Sequence, residues 1–124
     1  MKYKIVEKAN PQNRDQKKWY AIPVNTGKFG IKEFSKEISG RSSLTRGDVE
    51  NVITNFTDEL PTFLKLGMSV KLGNFGTLRL TLSSEGVENK DDFNASNIKG
   101  ARVIFTPSTE LKKELENISY EELK

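Results

Sequence analysis

Leu44-Thr45-Arg46-Gly47-Asp48-Val49 begins, and Val70-Lys71-Leu72-Gly73-Asn74-Phe75-Gly76-Thr77-Leu78-Arg79-Leu80 ends, the stretch whose reading decides the fold. Thr45 is placed to cap a helix, with Asp48 at the third helical position and Leu44 and Val49 set to staple across the entry. Val49, Val52, Ile53, Phe56, Leu60, Phe63 and Leu64 then recur in steps of three and four, which predicts one long helix, and Gly67 supplies its stop. Pro61 lies inside that pattern and predicts a bend near Thr57, whose carbonyl it cannot serve. After Gly67 the apolar period falls from 3.6 to 2. Val70 and Leu72 precede a Gly-Asn-Phe-Gly turn, and Leu78, Leu80 and Leu82 alternate with Arg79, Thr81 and Ser83 after it. Long helix, glycine hairpin and one-faced strand make a single block.

Upstream, Ile31, Phe34 and Ile38 mark one face of a shorter helix that Gly40 and the Ser42-Ser43 pair end. Further upstream, Tyr3 to Val6 and Trp19 to Val24 read as two β-prone runs joined by a polar, turn-rich connection from Glu7 to Gln16. Pro23 has no amide proton for a ladder and places the second run at an edge or an end. Trp19 and Tyr20, next to Lys17 and Lys18, have two readings: a stacking platform for unpaired bases, or, as the preferred expectation, the apolar anchor of this hairpin, since an isolated two-stranded ribbon is marginal in water. Downstream, Ser83 to Lys99 loses its apolar periodicity and carries four acidic residues against two lysines. Alternation returns over Ala101-Arg102-Val103-Ile104-Phe105. Thr106 as cap and Pro107 at the first helical position then predict a last helix through Leu111, Leu115 and Ile118.

Composition narrows the function. The 124 residues contain neither cysteine nor histidine, which removes disulfides, thiol nucleophiles, imidazole bases and the commonest zinc ligands. With no phosphate-cradling glycine loop and no convincing carboxylate pair, no enzyme and no cofactor is expected. No segment approaches the roughly 20 apolar residues that span a bilayer, so a cytoplasmic protein without a membrane or small-molecule partner is expected. Net charge is +3 but lopsided: residues 1 to 47 carry 11 Lys/Arg against 4 Asp/Glu, and residues 48 to 124 carry 9 against 13. A basic half can recruit polyanions by releasing their condensed counterions.

From about Ile31 to Ile118 the chain resembles the HU and integration host factor family of bacterial histone-like DNA-binding proteins. Two motifs carry the likeness: Val70 to Leu78, similar to the family's strand, Gly-Phe-Gly turn and strand after a long helix, and Arg102 to Lys112, similar to its join between strand and last helix. The first residues resemble the extension of an HU-related subgroup with a comparable lysine- and asparagine-rich opening. The resemblance implies an α+β fold, with a helical pair and a three-stranded antiparallel sheet bearing a β-ribbon arm, preceded by an N-terminal β-hairpin. The expected division is a hairpin extension over 1–28 and an HU/IHF-like domain over 29–124, with the arm at 83–99.

The resemblance further implies a nucleoid-associated homodimer that binds duplex DNA largely through phosphates, with little sequence specificity. Carried onto this sequence, the start of the first helix nominates Lys28 and Lys32, and the start of the last helix nominates Ser108, Thr109 and Lys112. Lys71, Arg79 and Arg102 sit between apolar strand neighbours and should project from the opposite face of the sheet. The arm departs from the family pattern. Asp92-Phe93-Asn94-Ala95-Ser96-Asn97 stands where an Arg-Asn-Pro stretch is usual, Thr106 where arginine is common and Glu110 where lysine is frequent. An acidic arm without proline is unsuited to kinking a duplex. The other reading is a protein-interaction or scaffold module that keeps the histone-like fold with weak or no DNA binding.

Overall fold

The computed structural model describes residues 1 to 124 and contains, in order, β1 (Lys2–Asn10), β2 (Asn13–Pro23), α1 (Ile31–Gly40), α2 (Arg46–Lys65), β3 (Val70–Leu72), β4 (Gly76–Ser84), β5 (Ile98–Pro107), α3 (Thr109–Glu114) and β6 (Glu121–Glu122). Helices and two three-stranded sheets make the mixed α+β fold that the sequence implied. The chain divides into two compact units, one of residues Ile31–Glu114 and one of Met1–Gly30 with Leu115–Lys124.

In the larger unit, α2 starts as expected: Thr45 is its cap, and its hydroxyl accepts the Asp48 amide at 3.1 Å. The helix runs unbroken past Pro61 to Lys65, and Gly67 leaves it with φ of +84°. Val49 and Leu64 are its buried apolar residues, and α1 contributes the buried Ser35, whose hydroxyl is satisfied by the Ile31 carbonyl at 2.7 Å. The strands follow in the order β3-β4-β5, all antiparallel. Between β3 and β4 the Phe75 amide donates to the Leu72 carbonyl at 2.9 Å, with Gly73 at φ +53° and no non-glycine residue at positive φ. That geometry is a type II′ turn, which matches the twist of the strands it joins and needs its glycine at the first central position.

The arm is shorter than expected. β4 and β5 pair only as far as Ser84 and Ile98, with a register shift at Ser83/Ser84, and the Glu85 amide closes the end on the Asn97 carbonyl at 2.8 Å. Beyond that point the chain makes two 3-10 turns, at Lys90–Asp92 and Ala95–Asn97, instead of a two-stranded ribbon. Asn94 drives the second turn: its side chain accepts the Ser96 amide while the Asn97 side chain accepts the Asn94 amide, a reciprocal cap that competes with ladder pairing.

The last helix also differs from expectation. Thr106 and Pro107 remain in β5, paired with Thr77 and Gly76, and Ser108 becomes the cap, its hydroxyl accepting the Leu111 amide at 3.0 Å. α3 therefore spans six residues and ends before Leu115 and Ile118.

The smaller unit shows why. Its C-terminal segment is drawn into a sheet of order β2-β1-β6: the Glu121 amide donates to the Met1 carbonyl at 3.1 Å and the Leu123 amide to the Tyr3 carbonyl at 2.8 Å. Ladder bonds from distant residues override the local helical pattern. The hairpin is longer than the sequence indicated, because Glu7 to Gln16 is mostly strand, closing on the two-residue Pro11-Gln12 turn. Pro11 suits the first central position and Gln12 has no positive φ, which excludes the twist-matching I′ and II′ turns, and the register shifts beside it at Ala9/Asn10.

Candidate nucleic-acid interface

The register of the larger unit's sheet sorts its side chains into two faces. Val70 stands opposite Leu78, Leu78 opposite Phe105 and Leu80 opposite Val103, so these form the apolar face. Lys71 stands opposite Thr77, Arg79 opposite Ile104 and Thr81 opposite Arg102, so all three cations share the other face. Each is one diagonal step from the next, Lys71 to Arg79 to Arg102, one per strand. Diagonal neighbours in an antiparallel pair lie about 7–8 Å apart. The result is an oblique row of three exposed cations, and β3, β4 and β5 contain no acidic residue to neutralise it.

Hydroxyls complete this face. Thr77, Thr81, Ser83 and Thr106 flank the row on the same side and can donate to an anion's oxygens. Sequence reading did not nominate them. Their alternation with leucines on β4 is the signal, but only the cross-strand register shows that Thr106 joins them. Lys99, in the register shift at the end of β5, adds a fourth cation to these strands.

The β5 to α3 join is tied to the glycine hairpin. The Ser108 amide donates to the Phe75 carbonyl at 3.1 Å, its hydroxyl donates to the Asn74 carbonyl, and the Phe75 and Phe105 rings stack with centroids 4.9 Å apart. Both protons of Ser108 are engaged within the protein, so it shapes the join. Thr109 and Lys112 are exposed on α3. Lys32 is exposed in the first turn of α1, and Lys28 is exposed within the smaller unit's share of the chain. The excursion after β4 carries Glu85, Glu88, Asp91 and Asp92, all exposed. No group of three or more acidic residues is arranged to hold a metal ion, and no helix is long and apolar enough to cross a membrane.

Residues 1–122 match the family model described as HU domain fused to winged helix-turn-helix, Ig or glycine-rich motif. Among solved structures, a protein from Bacteroides vulgatus assigned as a bacterial DNA-binding protein is similar at TM-score 0.61 and 14% identity, over 98% of this chain and 47% of that one. The present chain thus spans about half the length of that relative. Anabaena HU, solved with DNA, is similar at TM-score 0.53 and 15% identity, over 70% of this chain and 97% of that one. At these identities the likeness concerns the fold. A comparison with curated proteins gives no match.

Proposed function

This chain belongs to the family of HU domains fused to winged helix-turn-helix, Ig or glycine-rich motifs, and on that premise we propose that it is a histone-like, nucleoid-associated protein that binds duplex DNA as a homodimer. It holds phosphates through the basic face of its three-stranded sheet, with little selection among sequences. The observation that carries this reading is the oblique row of Lys71, Arg79 and Arg102 on strands without a carboxylate. Arginine and lysine side chains at steps of about 7–8 Å can engage successive phosphates, which position a protein on DNA without reading its bases. Thr77, Thr81 and Thr106 supply neutral donors beside them, and Lys28, Lys32, Thr109 and Lys112 extend the contact from the helices and the segment before them.

The homodimer accounts for what the single chain leaves uncovered. On β5 and β4, Val103 is 60% and Leu82 66% exposed on the apolar face, while Val52, Phe56 and Phe63 stay open on α2. A second copy gives these surfaces a cover.

The test is fluorescence anisotropy with a labelled random-sequence duplex. The triple variant Lys71→Gln/Arg79→Gln/Arg102→Gln is expected to bind about tenfold more weakly or worse at moderate salt, by a similar factor on unrelated sequences. Unchanged affinity would remove the sheet from the interface.

One observation favours a second reading. The acidic excursion suits a basic protein partner, in which case reversing Glu85, Glu88, Asp91 and Asp92 to lysine disrupts a protein complex while the sheet variant leaves it intact.

A further inference from the structure

The N-terminal ribbon separates its charges by face. Tyr3 stands opposite Pro23, Ile5 opposite Ala21, Glu7 opposite Trp19 and Ala9 opposite Lys17, while Lys4 stands opposite Ile22, Val6 opposite Tyr20 and Lys8 opposite Lys18. The first set makes one face, largely apolar, whose Lys17 and Glu7 lie 4.0 Å apart as an ion pair. The second set, with Lys2, makes the other face: four lysines around Val6, Tyr20 and Ile22. Glu7 belongs to the first face and Asp15 to the irregular tip, so the paired length of the second face has no carboxylate from either strand. Glu121 of β6, paired with Lys2, is the acidic neighbour at the far end.

Two details of this face bear on what it does. Lys8 and Lys18 are directly opposed across the ladder, an arrangement that destabilises a two-stranded ribbon. Placing either lysine on the other face, or pairing it with a glutamate, would remove that cost. Lys8 Nζ also lies over the Tyr20 ring, 6.0 Å from its centroid, so the aromatic ring sits beside one ammonium of the pair. Same-face lysines on one strand, such as Lys2 and Lys4, advance by about 6.8 Å, close to the step between successive phosphates on a nucleic-acid strand.

From this arrangement we propose that the lysine face of the β1–β2 ribbon is a second phosphate-binding surface for duplex DNA, distinct from the basic sheet face. It rests on the reading of the chain as a duplex binder. Lys2, Lys4, Lys8 and Lys18 contact the sugar-phosphate backbone, and the exposed Tyr20 ring and hydroxyl lie against the sugar edge between them. The opposed lysines trade ribbon stability for the density of positive charge that a phosphate row rewards.

The experiment compares the full chain, the ribbon variant Lys4→Gln/Lys8→Gln/Lys18→Gln and the sheet variant Lys71→Gln/Arg79→Gln/Arg102→Gln for duplex affinity between 50 and 200 mM salt, with far-UV circular dichroism to confirm folding. Three lysines lost from each protomer, six in the homodimer, make the slope of log affinity against log salt shallower by about 5.4. The drop in affinity across that salt range should then be about 2,000-fold smaller for the ribbon variant than for the unmodified chain. Lys18→Glu supplies a second readout: by relieving the opposed pair it is expected to raise the thermal midpoint while weakening duplex binding. A ribbon variant with unchanged slope, beside a sheet variant that loses affinity, overturns the ribbon assignment and leaves the duplex reading standing. Absence of duplex binding by the unmodified chain overturns both. Loss confined to single-stranded probes also overturns the assignment to duplex DNA.

Discussion

A β-carbon on Gly76 would stand 2.5 Å from the Thr106 carbonyl oxygen and 2.5 Å from the edge of the Phe105 ring. The backbone of β4 approaches β5 and the stacked Phe75–Phe105 pair so closely there that only glycine fits. Gly76→Ala is accordingly expected to lose about 1–3 kcal/mol by chemical denaturation, the range for an overpacked site. Ser108 is the other residue on which this corner turns, since it caps α3 and ties it to the glycine hairpin through Asn74 and Phe75. Ser108→Ala should cost about 1–2 kcal/mol and leave the salt dependence of DNA binding unchanged, because its protons already serve the protein. The special character of the Gly-Asn-Phe-Gly run was legible in the sequence. That Ser108 closes on it was not, because the bond joins segments separated by the whole of β4, the excursion and β5.

Elements with strong local signals formed where the sequence placed them. Thr45 caps α2, Gly67 ends it, and period-two alternation marks β3, β4 and β5, since capping, left-handed exits and pleating are decided within a few residues. Elements settled by distant partners were missed. The Leu111, Leu115, Ile118 spacing is helical, yet the chain beyond Glu114 is claimed by β1, and the polar stretch from Glu7 to Gln16 is strand because its partner is in register. The basic row on the sheet was half legible: alternation gave the face of each cation, while pairing across strands gave their diagonal. The excursion between β4 and β5 does not form a ribbon that could reach around DNA, and its exposed carboxylates oppose phosphates. Neutralising it with Glu88→Gln/Asp91→Asn/Asp92→Asn is expected to tighten duplex binding several-fold at low salt, an effect fading as salt rises. Weaker binding by that variant would instead assign the excursion a direct part in holding DNA.

At the scale of the molecule, the exposed apolar surface bears on the proposed homodimer. Only Val49 and Leu64, at 4% and 8% exposure, qualify as buried apolar residues. On α2 the open residues Val52, Phe56 and Phe63 lie along one stripe beside the stripe that holds Val49 and Leu64, so the helix offers a second apolar flank. Such a surface fits an obligate pair whose folding and association are one event. Sedimentation should give twice the chain mass, and the thermal midpoint should rise with protein concentration. Phe56→Glu, placing a charge in that stripe, should lower the midpoint and abolish its concentration dependence. A monomer with a concentration-independent midpoint would contradict the pairing.

If this molecule grips duplex DNA by its phosphates, as proposed, the grip must weaken steeply as salt rises. Titrating the unmodified protein against a random duplex from 50 to 200 mM salt should give log affinity falling linearly with log salt. Six sheet cations in a dimer alone predict a slope of about −5, similar for unrelated sequences. A salt-insensitive affinity, or no binding at 50 mM, would contradict the account.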